Sequence, residues 1–492
     1  MTHSASRPPA RHGLAPLVLG AAGLCLPLPV QAHGFETSCT PAAQAAFAEG
    51  LHLIHNMMYI QSEAAFGTAA EADPACAMAQ WGLAMANFHP LWPGSPTEAE
   101  TRRGTAAAEK LGSLQAGTDV EQALIEAALA FYAPDLDAYR PRIEAWAAAQ
   151  IAAGEAHADN VDAAALAALA RLSVAPPGPA GIETATSVGA TLDALHEAHP
   201  DHPGVIHYAI HAYDNPALKD RGTRYAAIYD KTAPDAAHAL HMPSHIFTRT
   251  GDWGPSIDLN RRSAEAALAQ SGDVIQTHYV HAIDYMVYGY LQLGQVDTAR
   301  ALVDQMLAID NHQVSFGGAY ALAASPVRLL LETGDWAGAA ALPDQMHPAI
   351  PWQAFPQAVA MRQFAKGLGA ARSGDVATAR DAVAELGRIR AELETRNLGY
   401  WARLAESQIL SVEAWIELAE GNPELALTHQ ASAADIEDAA GKSPVTPGHV
   451  LPARELLADM QSQLGHAAEA QAAYRETLRL SPNRGRSLAA LK

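Results

Sequence analysis

Ten of the chain's 22 histidines fall between His196 and His281, and their spacing is helical. His207 and His211 stand four apart in HPGVIHYAIHAYD. His238, His241 and His245 are spaced by three and four in HALHMPSHIFTR. His278 and His281 stand three apart in THYVHAID, and Asp284 follows three later. Offsets of three and four put side chains on one helix face, one turn above another. Imidazole is the commonest metal-ligating side chain, so the chemistry on offer is metal binding. The candidate ligands are His207, His211, His238, His241, His245, His278 and His281. No cysteine lies among them, and imidazole, alone or with a carboxylate, suits zinc, copper or iron. Three histidines with an open position would make a Lewis-acid zinc site. Two groups of three would suit a coupled dicopper site. A His-His-Asp set completed by Asp284 or Asp214 would suit non-haem iron. Spacing leaves the three open. His52, His55 and His89, nearer the N-terminus, are weaker candidates, as is His33.

Helices must carry these residues, and the rest of the chain describes a helical scaffold. A helix-ending glycine followed by a short polar turn recurs at Gly251, Gly294, Gly334, Gly374, Gly421 and Gly465, with successive spacings of 43, 40, 40, 47 and 44 residues. Such a glycine ends one helix in the left-handed conformation, and the polar residues start the next. The period exceeds the 34 residues of a tetratricopeptide unit and matches longer helical hairpins. Gly50, Leu53, Phe66, Ala69 and Pro74 near one end follow the tetratricopeptide pattern, as do Leu464-Gly465, Ala470, Tyr474 and Pro482 near the other. The expected fold is all-α, a solenoid of tetratricopeptide-like hairpins from about residue 41 onward. Three His-bearing helices in consecutive hairpins then converge on one concave patch.

Three prolines break the helical rules near the histidines. Pro243 sits between His241 and His245, where an interior proline costs about 3 kcal/mol and kinks or splits a helix. A local rule broken between candidate ligands marks a functional position. Pro203-Gly204 opens the helix of His207 and His211, and Asp214-Asn215-Pro216 closes it. Residues 173–181 (SVAPPGPAG) form a Pro/Gly-rich loop. Residues 441–452 (GKSPVTPGHVLP) are expected to form an ordered or lid-like loop.

The bulk numbers fit this frame. Hydrophobic residues make up 49% and aromatics 6%, as in an Ala-rich packed helical protein. Residues 1–32 read as a secretory signal, with Arg7 and Arg11 before an apolar run and Val30-Gln31-Ala32 as the cleavage site. Cleavage there would leave His33 first, with its α-amine and ring able to share a metal. The segment's two arginines and no acid take the formal charge from −21 to −23, which repels nucleic acid and anionic membranes. The expected location is periplasmic or secreted, with no transmembrane segment in the mature chain. An oxidising compartment permits a Cys39–Cys76 disulfide without requiring one. The boundaries that follow are 1–32 for the signal peptide, 33–172 for N-terminal repeats, 173–181 for the loop, 182–300 for His-rich central repeats and 301–492 for C-terminal repeats.

HPGVIHYAIHAYDNP, AHALHMPSHIFTRTGDW and DIEDAAGKSPVTPGHVLPARELLADM resemble signatures of large exported bacterial tetratricopeptide-repeat proteins, over most of the mature chain. The resemblance implies an α-solenoid with a His-rich centre and supplies no activity. The positions that match its motifs are His202, His207, His211, His238, His241 and His245, with His278 and His281 less distinctive. It also draws Val445-Thr446-Pro447-Gly448 towards that centre, with Arg454 and Glu455 behind.

No P-loop, dinucleotide fingerprint, HExxH or GxSxG occurs, so hydrolysis could only be argued through a metal. The first reading is an exported solenoid that binds a transition metal, copper, zinc or iron, through the central histidines, for oxidoreductase or hydrolase chemistry. The rivals are a metal-free scaffold binding protein or peptide on the concave face, and a protein that stores and delivers copper or zinc.

Overall fold

The computed structural model describes residues 35–92 and 95–492. The segment 1–32 read as a secretory signal, and His33, lie outside the described residues. The architecture is all-α, a series of antiparallel helical hairpins, and among the described residues the sole β feature is an isolated bridge between Ile275 and His312. No described helix is long and apolar enough to cross a membrane.

The turn glycines set the hairpins. Pro243–Thr250 pairs with Trp253–Gln270, Thr277–Gln292 with Val296–Leu307, Phe316–Thr333 with Trp336–Ala340, Pro356–Arg372 with Val376–Thr395, Gly399–Ala419 with Pro423–Ala440, and Ala453–Gln463 with Ala467–Leu480. The glycine at each turn has φ between 69° and 86°, where any Cβ is strained. In each turn the next N–H reaches five residues back, as from Asp252 to Phe247 and from Asp375 to Ala370. That bond satisfies a carbonyl the helix end would leave orphaned.

The N-terminal hairpins follow the same logic. Thr97 with Glu100 and Thr118 with Glu121 form reciprocal capping boxes. Cys39 and Cys76 are joined in a disulfide that ties the first helix to the third. The Pro/Gly-rich loop is shorter than 173–181, because Ser173 still ends one helix and Pro179 opens the next. A proline at the first helical position gives up an N–H that has no intrahelical partner anyway.

Pro203–Tyr213 is the hub. Every residue in it except His211 is buried, as expected of a helix apolar on all sides. It packs against Pro41–His55, Val161–Ser173, Pro179–Ala198 and Lys219–Ala226. Gly204 lets the first of these approach, since a Cβ there would sit 2.3 Å from His55 Nδ1. The sequence 441–452 is a loop, largely buried against the centre.

Candidate metal centre

The seven candidate histidines come from three places. His207 and His211 stand one turn apart on the hub helix, and His278 and His281 stand on Thr277–Gln292. The stretch holding the other three is split at Pro243: Ala237–His241 carries His238 and His241, and Pro243–Thr250 carries His245. Proline is the first residue of the second piece, where its fixed φ suits a helix start. His238, on the first piece, meets the hub-helix histidines, while His241 from the same piece and His245 from the second meet His281 on Thr277–Gln292.

Six of the seven form two triads. His207, His211 and His238 make one, and His241, His245 and His281 the other. Within each, one potential donor atom per residue lies within 4.8 Å of the other two. The triads adjoin, with the His238 and His241 rings 6.2 Å apart. His278 is brought into neither. It lies a turn before His281, with its ring 5.4 Å from His238 and 5.6 Å from Trp92.

The hydrogen bonds behind the rings fix their tautomers. His207 Nδ1–H donates to the His55 carbonyl at 2.7 Å. His241 Nδ1–H donates to Asn260 Oδ1 at 2.6 Å, while the Asn260 amide donates to Ser256. His245 Nδ1–H donates to Asp214 Oδ2 at 2.8 Å. Each ring so held presents a bare Nε2 when neutral. Yet His241 Nε2 stands 2.8 Å from His245 Nε2, and His211 Nε2 3.1 Å from His207 Nε2. Buried His238 Nε2 and His281 Nδ1 have no hydrogen-bond partner.

Burial keeps these rings neutral. Desolvation, then the neighbouring imidazoles, hold His211, His238, His241 and His281 well below the usual histidine range. His207 is pushed down to about 3 and His278 to about 4, chiefly by desolvation. His245 is also lowered by burial, against the pull of Asp214. Burial alone would raise the Asp214 carboxyl, but Lys442, Arg249 and His245 hold it well below its usual range.

Neither carboxylate proposed as a ligand joins a triad. Asp214 stands behind His245, with Arg249 on its other oxygen at 2.7 Å. Asp284 is buried against Arg328 at 2.9 Å and Ser325 at 3.2 Å. Arg328 in turn donates to the His449 carbonyl and Thr446 Oγ1, fixing the 441–452 loop. Asp284 is thus an anchor for the loop. A His-His-Asp set of the iron type does not assemble from these residues.

A third cluster, His55, Asp162 and His202, brings its donor atoms equally close and is knit by hydrogen bonds. Asp162 Oδ1 receives both Nε2–H groups, at 2.8 and 3.1 Å. His55 Nδ1 meets the Tyr208 hydroxyl, and His202 Nδ1 caps the hub helix by accepting from Val205 N–H. Among the weaker candidates, His55 has this supporting role, and its backbone carbonyl orients His207. His52 and His89 join none of the three groups.

Sequence spacing gave no sign of Asn260, Arg249 or Lys442 as supports. Asn260 lies inside the long helix Trp253–Gln270, and its role appears only when that helix packs on His241. Trp92 was missed too. It lies between the triads and the first repeats, with its ring 5.8 Å from His238.

No protein-family model matches the chain, and no curated protein matches it. Solved structures give weak likenesses. Yeast Tom70 aligns at 11% identity over 91% of this chain and 94% of that one, with a TM-score of 0.30. The TPR domain of P58(IPK) aligns at 10% over 86% and 99%, with a TM-score of 0.23. The Naa15/Naa10 complex bound to HypK-THB aligns at 9% over 88% and 62%, with a TM-score of 0.26. At such scores the likeness carries no argument, and the helical-hairpin class rests on this chain's own helix pairing.

Proposed function

We propose that the chain binds two transition-metal ions, one in each histidine triad, and that copper is the first choice and zinc the second. The observation that carries this is the pair His241 and His245. Both Nδ1–H groups are committed to acceptors, and both bare Nε2 atoms face each other at 2.8 Å in a buried site. The Tyr285 hydroxyl, 3.4 Å from His245 Nε2, donates to the Pro444 carbonyl. Two neutral lone pairs at that distance repel, and a shared cation removes the conflict. His211 Nε2 stands 3.1 Å from the bare Nε2 of His207, close to the nitrogen separation of tetrahedral ligands about 2 Å from one ion.

All-imidazole triads without carboxylate or thiolate suit copper or zinc. Each triad leaves room for an exogenous ligand, so the site fits Lewis-acid or redox chemistry as well as storage. Elemental analysis of protein purified without a polyhistidine tag tests the reading. Two metal equivalents per chain are expected, falling to one in His207→Ala/His211→Ala and to one in His241→Ala/His245→Ala. Wild-type protein that takes up neither copper nor zinc on dialysis would return it to a metal-free scaffold.

A further inference from the structure

A cavity of about 250 Å³ opens directly onto the two triads. His211, His238, His245, His278 and His281 form its polar end. The rest of its wall is mostly apolar, with Trp92, Leu172, Met242, Phe316 and Val445 prominent beside Asp214, Thr277 and Ser315. A dry apolar cavity of roughly 150 Å³ holds one benzene ring, so this one accommodates a single substituted ring.

Its walls offer no free charge. The Asp214 oxygens are taken by His245 and Arg249. Thr277 and Ser315 hydrogen-bond each other at 2.6 Å. With no metal bound, an ion entering here would lose its hydration without a counter-charge.

Trp92 is held unusually firmly. Five non-glycine residues of the described chain have positive φ, and three of them surround it: Met57 at 51°, His89 at 51° and Leu91 at 71°. Its indole N–H donates to Met57 Sδ at 2.9 Å, and its ring meets Tyr59 edge-on at 5.6 Å. Each such backbone conformation costs on the order of 1–3 kcal/mol and persists where the surroundings impose it, often at ligand sites. A fixed indole face loses little entropy when a flat ring packs on it.

We infer that this cavity binds a small, uncharged aromatic molecule bearing a hydroxyl, a simple phenol, with its ring against Trp92 and Phe316 and its hydroxyl at the histidine end. The inference deepens the metal-centre reading by naming what approaches it, but binding itself requires only the cavity. The two can therefore fail separately.

Calorimetric titration of 4-methylphenol into the full chain, as purified and after chelation, tests it. One saturable site is expected in both forms. In the chelated form, benzoate and benzylammonium should bind at least about ten-fold more weakly, since a charge gains no partner in the metal-free cavity. Cyclohexylmethanol, which lacks a planar face, should also bind more weakly. Val445→Trp and Leu172→Trp, which fill the cavity from different elements, should abolish phenol binding while helical circular dichroism and metal content stay at wild-type levels. Charged analogues binding the chelated protein as tightly as the phenol does, or phenol binding that survives in both filled variants, would overturn the proposal. No phenol binding by a metal-loaded wild type would overturn it and leave the metal centre standing. Phenol binding by a chain that takes up no metal would do the reverse.

Discussion

A histidine becomes a useful ligand when something behind it fixes its proton. Asn260 does this for His241, the His55 carbonyl for His207 and Asp214 for His245. Such partners typically change metal affinity 10–100-fold. Asn260→Leu keeps the side-chain volume and all seven histidines but frees the His241 ring. Its affinity for the second metal equivalent should fall about 10–100-fold in a chelator competition, with the first equivalent unchanged. Loss of neither, or of both together, would reject a separate role for Asn260. The neutral rings also make metal-free protein acid-sensitive. His207 is held at about 3, His278 at about 4 and His449 at about 3, against about 6.5 unfolded. Between those values the unfolded chain binds more protons, so stability is lost as pH falls below about 6.5, by about 1.4 kcal/mol per pH unit for each such histidine. Glu437, raised to about 8 by desolvation, acts the other way: its contribution is lost as pH rises from about 4.5 towards 8. Glu332, Asp284, Asp438 and Asp459 are raised by burial too, but the lowered histidines outnumber them, so the urea midpoint of chelated protein should fall from pH 6.5 to 4. A flat profile would mean that the rings already carry protons in the fold.

At the scale of the element, the break at Pro243 sets His245, on the second piece, beside His241, on the first, while His238 and His241 reach different triads from one short helix. Met242, just before it, keeps right-handed helical angles, a conformation disfavoured before proline. Pro243→Ala removes that conflict and restores a backbone donor, so the two pieces can fuse into one straighter helix. The expected result is higher thermal stability in the metal-free protein together with weaker metal binding. Unchanged affinity with raised stability would show that the break does not aim the rings. Hub helix and 441–452 loop act together here, since Tyr285 and Arg328 pin the loop over the same cavity that the hub helix underlies.

Over the whole molecule, a repeat array is held mainly by contacts between neighbouring repeats. This one also closes on itself. Trp253 Nε1–H donates to the Asn483 carbonyl, Asn483 returns a bond to the Gly251 carbonyl, and Gly485 N–H donates to Gln292 Oε1. Buried Arg484 bridges Glu332 and Glu455, each at 2.7 Å. At the other end, the Tyr229 hydroxyl donates to Asn56 Oδ1 and joins the first hairpin to the centre. Removing one partner of a buried ion pair strands the other charge, at a typical cost of 3–5 kcal/mol. Arg484→Met should therefore lower the unfolding free energy by about 3–5 kcal/mol in denaturant titration. A change under about 1 kcal/mol, the size of an exposed pair, would show that the C-terminal segment is not integral to the fold.

The helical class was legible in the sequence because its signals are local. A glycine that must adopt positive φ after a helix marks a turn wherever it stands, and all six turn glycines read from the sequence do so. The pairing of His207 with His211 was legible for the same reason, since a spacing of four fixes a common face within one helix. Local spacing could not say how helices would share their ligands. His278 and His281 read as equals, yet only His281 reaches a triad, because a turn of about 5.4 Å exceeds the tolerance of a metal site. Asp214 and Asp284 looked like ligands by spacing and became supports, because Arg249 and Arg328 arrive from 35 and 44 residues away. Trp92 carried no spacing signal at all. Its place beside His238 depends on how the first repeats pack against the hub, and that is decided by contacts between residues more than a hundred positions apart.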